Sequence, residues 1–531
     1  MRMCGVSSAA SVRRGARGMN GQQGYANASP DTVVLGMRKR ASRSLSERST
    51  TAFLAVVGVI TALRLLALAF NRTDLYMDEA QYWAWSLEPA LGYFSKPPLI
   101  AWIIHGATTV CGETEACVRL PAIALHLLTA LLVYAIGWRL YDKTVAFWAG
   151  LGYALLPAVS LSSGIISTDV PLLAAWALAL FAFAGMLNGP SLANALLLAL
   201  ALGLGLNAKY AMAYFAASAA LYLVIAPESR GLLRSSHLWL ALAGGLALIA
   251  PNVLWNATNG FVTFAHTADN ANWRGIPFHP GKAAEFLLAQ FGVFGPVLFG
   301  AFLVIVWRAV RKPSVAGLSD KLLLAFSVPI LAAVTLQALI SRAHANWAAP
   351  AYIAAIVLVT AVMIRDREWT WMRASFAING AVALFLALAT WQAGHLALPI
   401  VGDPFARTLG NRELATAVEA ELARAANEGK PIGSVLTDDR EYAAALAYYG
   451  RGITVPVLSW RDGASPRSHF EIKSPFTAAA PAPVLLVTPR LASPVTRRFA
   501  SATPVTMREI PAGRHTTRTV HFSTLDGYQH R

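Results

Sequence analysis

Charge is scarce in this sequence. Asp, Glu, Lys and Arg make up 14% of its 531 residues, against roughly a quarter in soluble globular domains. The deficit falls between Thr51 and His395, where long apolar runs follow one another with short polar breaks. Each run is long enough to cross a bilayer core, which takes ~20 apolar residues as helix, so a soluble enzyme with one hydrophobic core is excluded. No internal repeat is visible, and transporters usually carry one. Zinc-finger spacing and RNA-binding signatures are missing as well, so the net charge of +16 does not point to nucleic acid. Cysteine is rare: Cys4, Cys111 and Cys117. The last two bracket Gly-Glu-Thr-Glu-Ala, which leaves a small disulfide and two free thiols both open.

What is present is an α-helical polytopic membrane protein. Residues 1–48 are rich in Arg, Ser and Gly with few large apolar side chains, a composition that does not repay the entropy of ordering, and they read as a disordered basic tail. Residues 49–395 hold about eleven spans, near 51–70, 120–140, 145–163, 170–187, 192–207, 210–225, 238–255, 285–307, 322–340, 347–364 and 375–395. The run 99–110 is too short to span and suits an interfacial helix in the first outer loop. With the N-terminus inside, the inner loops 139–143, 228–234, 308–321 and 365–373 hold most of the loop Lys and Arg, as the positive-inside rule requires. Residues 396–531 then lie outside. Helical patterns at 413–427 and 441–449 and strand patterns at 432–436 and 483–488 make them a small α/β domain, with Asp438 and Asp439 just after a strand.

Polar side chains collect in the outer loops. The first reads Asp74-Leu-Tyr-Met-Asp78-Glu79-Ala-Gln81-Tyr82-Trp83, then Gly92-Tyr93-Phe94-Ser95-Lys96-Pro97-Pro98. A carboxylate at a partly dry interface serves as general base toward a hydroxyl, aromatic faces suit the apolar faces of sugar rings, and lysine suits phosphate. The same residues also fit a capping-box helix start at Asp78 with Gln81 and an interfacial aromatic belt. Asp169 fits either a cap for the helix that follows or an ionisable functional group at a span end. Lys209 stands between two spans with no acidic neighbour in sequence, either snorkelling or neutralising a lipid phosphate. His266 and Arg274 in a long outer loop, and Arg342, His344 and Trp347 in a short one, are further anion or sugar contacts. All fall on one side of the membrane in this topology, which scattered structural polars have no reason to do.

These segments resemble a known family. Tyr76-Met-Asp78-Glu79-Ala-Gln-Tyr82-Trp with Tyr93-Phe-Ser-Lys96-Pro97-Pro98 is similar to the first-loop signature of the GT-C glycosyltransferases. Within them it is closest in pattern to the bacterial branch of protein O-mannosyltransferase-like enzymes, lipid A aminoarabinose transferases and rhizobial galacturonic acid transferases. Thr168-Asp169-Val-Pro171, Ala208-Lys209-Tyr210, Pro251-Asn252-Val-Leu-Trp255-Asn256 and Asn346-Trp347-Ala-Ala-Pro350 also match that branch. The resemblance implies an inverting transfer from a polyprenyl-phosphate sugar to an envelope lipid, glycan or protein at the periplasmic face of a bacterial inner membrane. It implies a catalytic set of Asp78, Glu79 and Asp169, and donor-phosphate contacts from Lys96, Lys209, Arg274 and Arg342. Tyr82, Tyr93, Tyr210, His266, His344 and Trp347 would contact sugar or acceptor. No cofactor or metal is expected to be essential, since the lysines supply the charge. Ser95 stands where aminoarabinose transferases carry an acid, which points to another sugar. The alternative is a flippase for a lipid-linked sugar, without chemistry.

Overall fold

In the computed structural model of the protein, the structure describes residues 30–272, 278–398, 402–463, 465–514 and 516–529. Met1–Arg48 and Ser49–Arg531 form separate compact units, and most of the expected basic tail lies outside the described residues. The first helix, Pro30–Ala69, is apolar enough to cross a membrane over Thr50–Ala69. Among the described residues, Glu115–Leu140, Asp169–Asn188, Ser236–Thr258, Leu318–Ile340 and Trp369–Trp391 meet the same condition. Shorter apolar helices cover Leu99–Cys111, Leu192–Ala208, Tyr210–Ile225 and Ala351–Arg365. Each segment expected to span is helical, but several are interrupted, among them the run at 322–340, which divides into Leu318–Ala325 and Val328–Ile340. The run expected at 285–307 is two helices, Pro280–Phe294 and Pro296–Arg311, bent by 118°. Gly295 takes a left-handed φ of 93° there, and Pro296 has no N–H to continue the ladder. The run at 145–163 divides into Lys143–Ala154 and Pro157–Ser162, again at a proline.

Helices Asp169–Asn188 and Ala351–Arg365 form the centre of the bundle and are buried along most of their length. Apolar surface alone does not join helices in lipid, so close packing must. Helices Leu192–Ala208 and Ser236–Thr258 approach through small residues. A Cβ added at Gly203 would stand 2.4 Å from the Leu248 side chain, and one at Gly245 2.9 Å from Leu202. This packing fixes the site-facing ends of the two helices, which carry Lys209, Asn252 and Asn256.

The C-terminal domain carries a five-stranded sheet in the order β2-β1-β3-β5-β4, with β1 Ser434–Thr437, β2 Val457–Ser459, β3 Val484–Thr488, β4 Phe499–Pro511 and β5 Thr517–Tyr528. β1, β2 and β3 are parallel, and β5 pairs antiparallel with β3 and β4. Helix Arg440–Tyr449 follows β1 directly. It opens on Asp439, whose carboxylate accepts from the N–H groups of Glu441 and Tyr442 at 2.8 and 3.2 Å. Asp438 accepts from Arg490 and Ser493 instead.

This domain is seated on the first loop. Helix Arg440–Tyr449 packs on helix Met77–Ser86, and Ala443, Ala444 and Tyr448 share one core with Trp83, Trp85 and Ile100. Asp74 accepts from the N–H groups of Asn411 and Arg412. Arg412 and Tyr449 reach Glu115 at 2.5 and 2.8 Å, and Arg451 reaches Glu113 at 2.7 Å. Lys473 pairs with Glu88.

Candidate active site

Helix Met77–Ser86 sets the two neighbouring carboxylates apart. Its start is not the box expected at Asp78 and Gln81, because the Tyr76 N–H is satisfied by the Glu79 carboxylate at 2.9 Å. Glu79 is buried, and both of its oxygens accept twice. Arg119 donates at 2.9 and 2.7 Å, Tyr76 N–H at 2.9 Å and Ile166 N–H at 2.9 Å. Arg119 also holds Thr73 and the Asp74 carbonyl. Glu79 therefore ties the first loop to the second and has no oxygen left for a reactant, which corrects its expected catalytic place. Asp78, one residue earlier, points off another side of the helix and is 41% exposed. Its Oδ1 accepts from Arg440 Nη2 at 2.5 Å, and Oδ2 has no hydrogen-bond partner among the described residues.

Asp169 begins its helix but caps nothing, since the residue before it, Thr168, holds the cap position without a side-chain bond. Its Oδ1 accepts from Lys209 Nζ and its Oδ2 from Asn346 Nδ2, both at 2.6 Å. Lys209, isolated in sequence, is thus ion-paired in space. It sits at the break between helix Leu192–Ala208 and the 3-10 turn Tyr210–Ala213, in extended backbone. Lys96, in the loop after Tyr93, accepts from the Tyr93 N–H through its carbonyl, but its ammonium has no hydrogen-bond or ion-pair partner among the described residues.

The charges converge. Burial, then the charge of Lys209, pulls Lys96 below the ordinary lysine range, while Asp78 and Asp169 oppose them. His266 is pushed down to about 4 by burial, Lys96 and Arg440, with Asp269 and Asp78 opposing. His344 is lowered by burial, Arg342 and Lys209. Tyr82, buried in the wall, is raised well above its usual range by burial and then by Asp78. Asp78, Lys96, Asp169, Lys209, Arg440, His266 and His344 are thus linked by mutual electrostatic influence, and the exposed Arg342 acts on His344. Arg274 lies outside the described residues.

Several aromatics expected to bind sugar hold the walls instead. Tyr93 stacks on Trp85 with centroids 4.7 Å apart, and its hydroxyl is taken by the Trp85 and Glu88 carbonyls and the Ala90 N–H at 3.0 Å. Tyr210 stacks on Phe264 and donates to Asn252 at 2.7 Å. Asn252 in turn donates to the Leu91 carbonyl at 2.7 Å. Gly92 fits there because a Cβ would stand 2.3 Å from the Trp255 ring. Trp347 lies edge-on to His344 at 5.4 Å and is half-buried. Cys111 and Cys117 are joined by a disulfide, with Cα atoms 5.9 Å apart. Among the described residues no group of three or more His, Cys, Asp or Glu side chains could hold a metal ion. A cavity of about 480 Å³ opens at the opposite end of the bundle, lined by Arg308, Arg311, Lys312 and Arg365, and none of the site residues lines it.

Residues 95–255 match the family described as dolichyl-phosphate-mannose-protein mannosyltransferase. The chain is 35% identical over 440 residues to the lipid A galacturonosyltransferase RgtD of Rhizobium johnstonii, covering 82% of this chain and 90% of that one. It belongs to the GT-C glycosyltransferases, in the rhizobial galacturonosyltransferase branch. The lipopolysaccharide core galacturonosyltransferase RgtA of the same organism is 26% identical over 53% of this chain and 56% of its own. In fold the chain is similar to ArnT from Cupriavidus metallidurans bound to undecaprenyl phosphate, with a TM-score of 0.61 at 17% identity over 89% of this chain and 97% of that one. The apo form of ArnT superposes equally well, with a TM-score of 0.60. This protein is therefore a multi-pass membrane enzyme that transfers a sugar from a lipid-linked donor, and the flippase alternative is not favoured.

Asn346, which holds Asp169, stood in a motif quoted from the sequence. Arg440, which holds Asp78, did not.

Proposed function

We propose that the enzyme transfers a uronic acid, galacturonic acid in the first place, from a polyprenyl-phosphate carrier to a hydroxyl of a lipid A-type acceptor at the periplasmic face of a bacterial inner membrane. The sugar and acceptor are those named for the relative that shares 35% of its sequence, and Ser95 fits a donor without an amino group. The observation that carries the chemistry is the single unclaimed oxygen of Asp78 among the cations Lys96, Lys209 and Arg440.

The acceptor hydroxyl gives its proton to Asp78 Oδ2 as its oxygen attacks the anomeric carbon. The bond from that carbon to the phosphate oxygen breaks, inverting the centre and releasing polyprenyl phosphate. Negative charge grows on the departing phosphate, and a preorganised cation aimed at it is worth about 3 kcal/mol of barrier. Lys96, without a partner and held where water is scarce, meets that charge. Lys209, held by Asp169, supports it, and Asp169 acts as a positioning residue because both its oxygens are engaged. Trp347, half-buried, offers a ring face to the sugar. The lysines supply the charge, so no metal enters the scheme.

The test is transfer by the purified enzyme in lipid nanodiscs, from undecaprenyl-phosphate galacturonic acid to lipid A, read by mass spectrometry. A lipid A product heavier by one hexuronic acid residue is expected. Transfer only from a neutral polyprenyl-phosphate sugar would overturn the choice of donor.

A further inference from the structure

Arg440 is a guanidinium fastened to the base, and the transfer scheme gives it no task. Its Nε donates to Gln81 Oε1 at 2.9 Å and its Nη2 to Asp78 Oδ1 at 2.5 Å. Arginine carries five N–H donors, and Nη1 has no partner among the described residues. The side chain is 34% exposed. Its backbone is well held: it is the first residue of helix Arg440–Tyr449, capped by Asp439 and packed on the helix that carries Asp78.

Cations outnumber carboxylates in the site. His266, near 4, and His344, held below its usual range, are uncharged at neutral pH. Lys96, Lys209 and Arg440 face Asp78 and Asp169, an excess of one positive charge, and Arg342 beside His344 is offset by Asp269 beside His266. A polyprenyl-phosphate hexose carries one negative charge, on its phosphodiester. The corresponding uronic acid carries two. Lys209 is paired with Asp169 and Arg440 with Asp78, so Lys96 meets the phosphate, and Arg440, whose Nη1 is unpartnered among the described residues, has donors to spare for a second anion. The geometry agrees. The carboxylate of a hexuronic acid sits on C5, joined through the ring oxygen to the anomeric carbon, so it lies on the reacting edge of the ring. Asp78 must face that same edge to take the proton of the attacking hydroxyl.

Resting on the uronic acid reading, we propose that Arg440 is the specificity residue for the sugar carboxylate. In the empty site its guanidinium lies on Asp78. An acidic sugar takes over part of that fork as a bidentate partner, which selects the donor and leaves Asp78 free to act.

The experiment measures equilibrium binding of three lipids to the full-length enzyme in nanodiscs: undecaprenyl phosphate, undecaprenyl-phosphate galactose and undecaprenyl-phosphate galacturonic acid. Wild type should prefer the uronic acid over the galactose lipid. Arg440→Ala should weaken the uronic acid lipid roughly 100-fold and move the other two less than about threefold. Arg440→Lys should restore part of the preference. A wild-type preference that survives Arg440→Ala overturns this assignment and leaves the donor reading standing. An equal loss for all three lipids also overturns it, since that is the mark of a merely structural role. A wild-type enzyme that prefers the galactose lipid overturns the donor reading itself.

Discussion

Two aspartates stand at the site, and their hydrogen bonds give them different tasks. Asp169 has Lys209 on one oxygen and Asn346 on the other, whereas Asp78 keeps Oδ2 for a reactant. Asp78→Asn should therefore lower the transfer rate by about 10²–10⁴, the usual contribution of a general base, with donor binding nearly unchanged. Asp169→Asn should loosen Lys209 and raise the Michaelis constant for donor as well. Single-turnover rates and donor binding separate the two, and an Asp78→Asn enzyme with normal turnover would remove it from the chemistry. Asp78, Lys96, Asp169 and Lys209 were legible in the sequence because charge is rare among the spans, so a charge at a span end stands out. That Asp78 and Glu79 part company was not legible. Successive residues on a helix are rotated by about 100°, and nothing local says which of two neighbours will meet a buried Arg119. Arg440 was hidden for another reason: its partner lies 362 positions away. Asp438 and Asp439, noted in the sequence just after a strand, are spent on Arg490 and on a helix cap.

At the scale of elements, the Glu79–Arg119 pair joins helix Met77–Ser86 to helix Glu115–Leu140 and to the backbone at Ile166. Arg119→Met leaves a buried carboxylate without its partner, a change that typically costs 3–5 kcal/mol. A drop in thermal unfolding temperature with loss of activity is expected for this variant, and the double variant Arg119→Met with Glu79→Gln should recover part of the stability. If Arg119→Met unfolds at the wild-type temperature, the two loops are not held by this pair. The spans were readable as apolar runs, yet the bend at Gly295 and the break before Pro157 were not, because one glycine or proline inside a run is compatible with continuing or stopping. The β4 and β5 hairpin was missed altogether. Most of β4 is exposed, with Pro504 beside a register shift, so it lacks the alternation that marks a half-buried strand.

For the whole molecule, the small domain and the membrane domain meet at one surface, and two histidines there report on it. Burial and Lys473 hold His469 down to about 4, and burial, Lys96 and Arg440 do the same for His266. Both rings are neutral in the folded protein and near 6.5 when unfolded, so the stability they permit is complete above pH 6.5 and is lost as pH falls toward 4. Thermal unfolding followed from pH 7 to pH 4 should show that decline, and His469→Gln should flatten part of it. An identical slope in that variant would mean that other groups drive the acid response.

The bond between Cys111 and Cys117 reaches beyond its own few residues. Glu113 and Glu115, which receive Arg451, Arg412 and Tyr449, both lie inside the small ring that it closes. The socket into which the C-terminal domain plugs is thus finished by oxidation, and a newly made chain that has not met an oxidant should carry that domain loosely. Cys111→Ser, or wild type kept in reductant, should let a protease clip the C-terminal domain away faster while the spans stay intact. Assembly of this enzyme would then wait on an oxidant, a checkpoint written into a seven-residue ring.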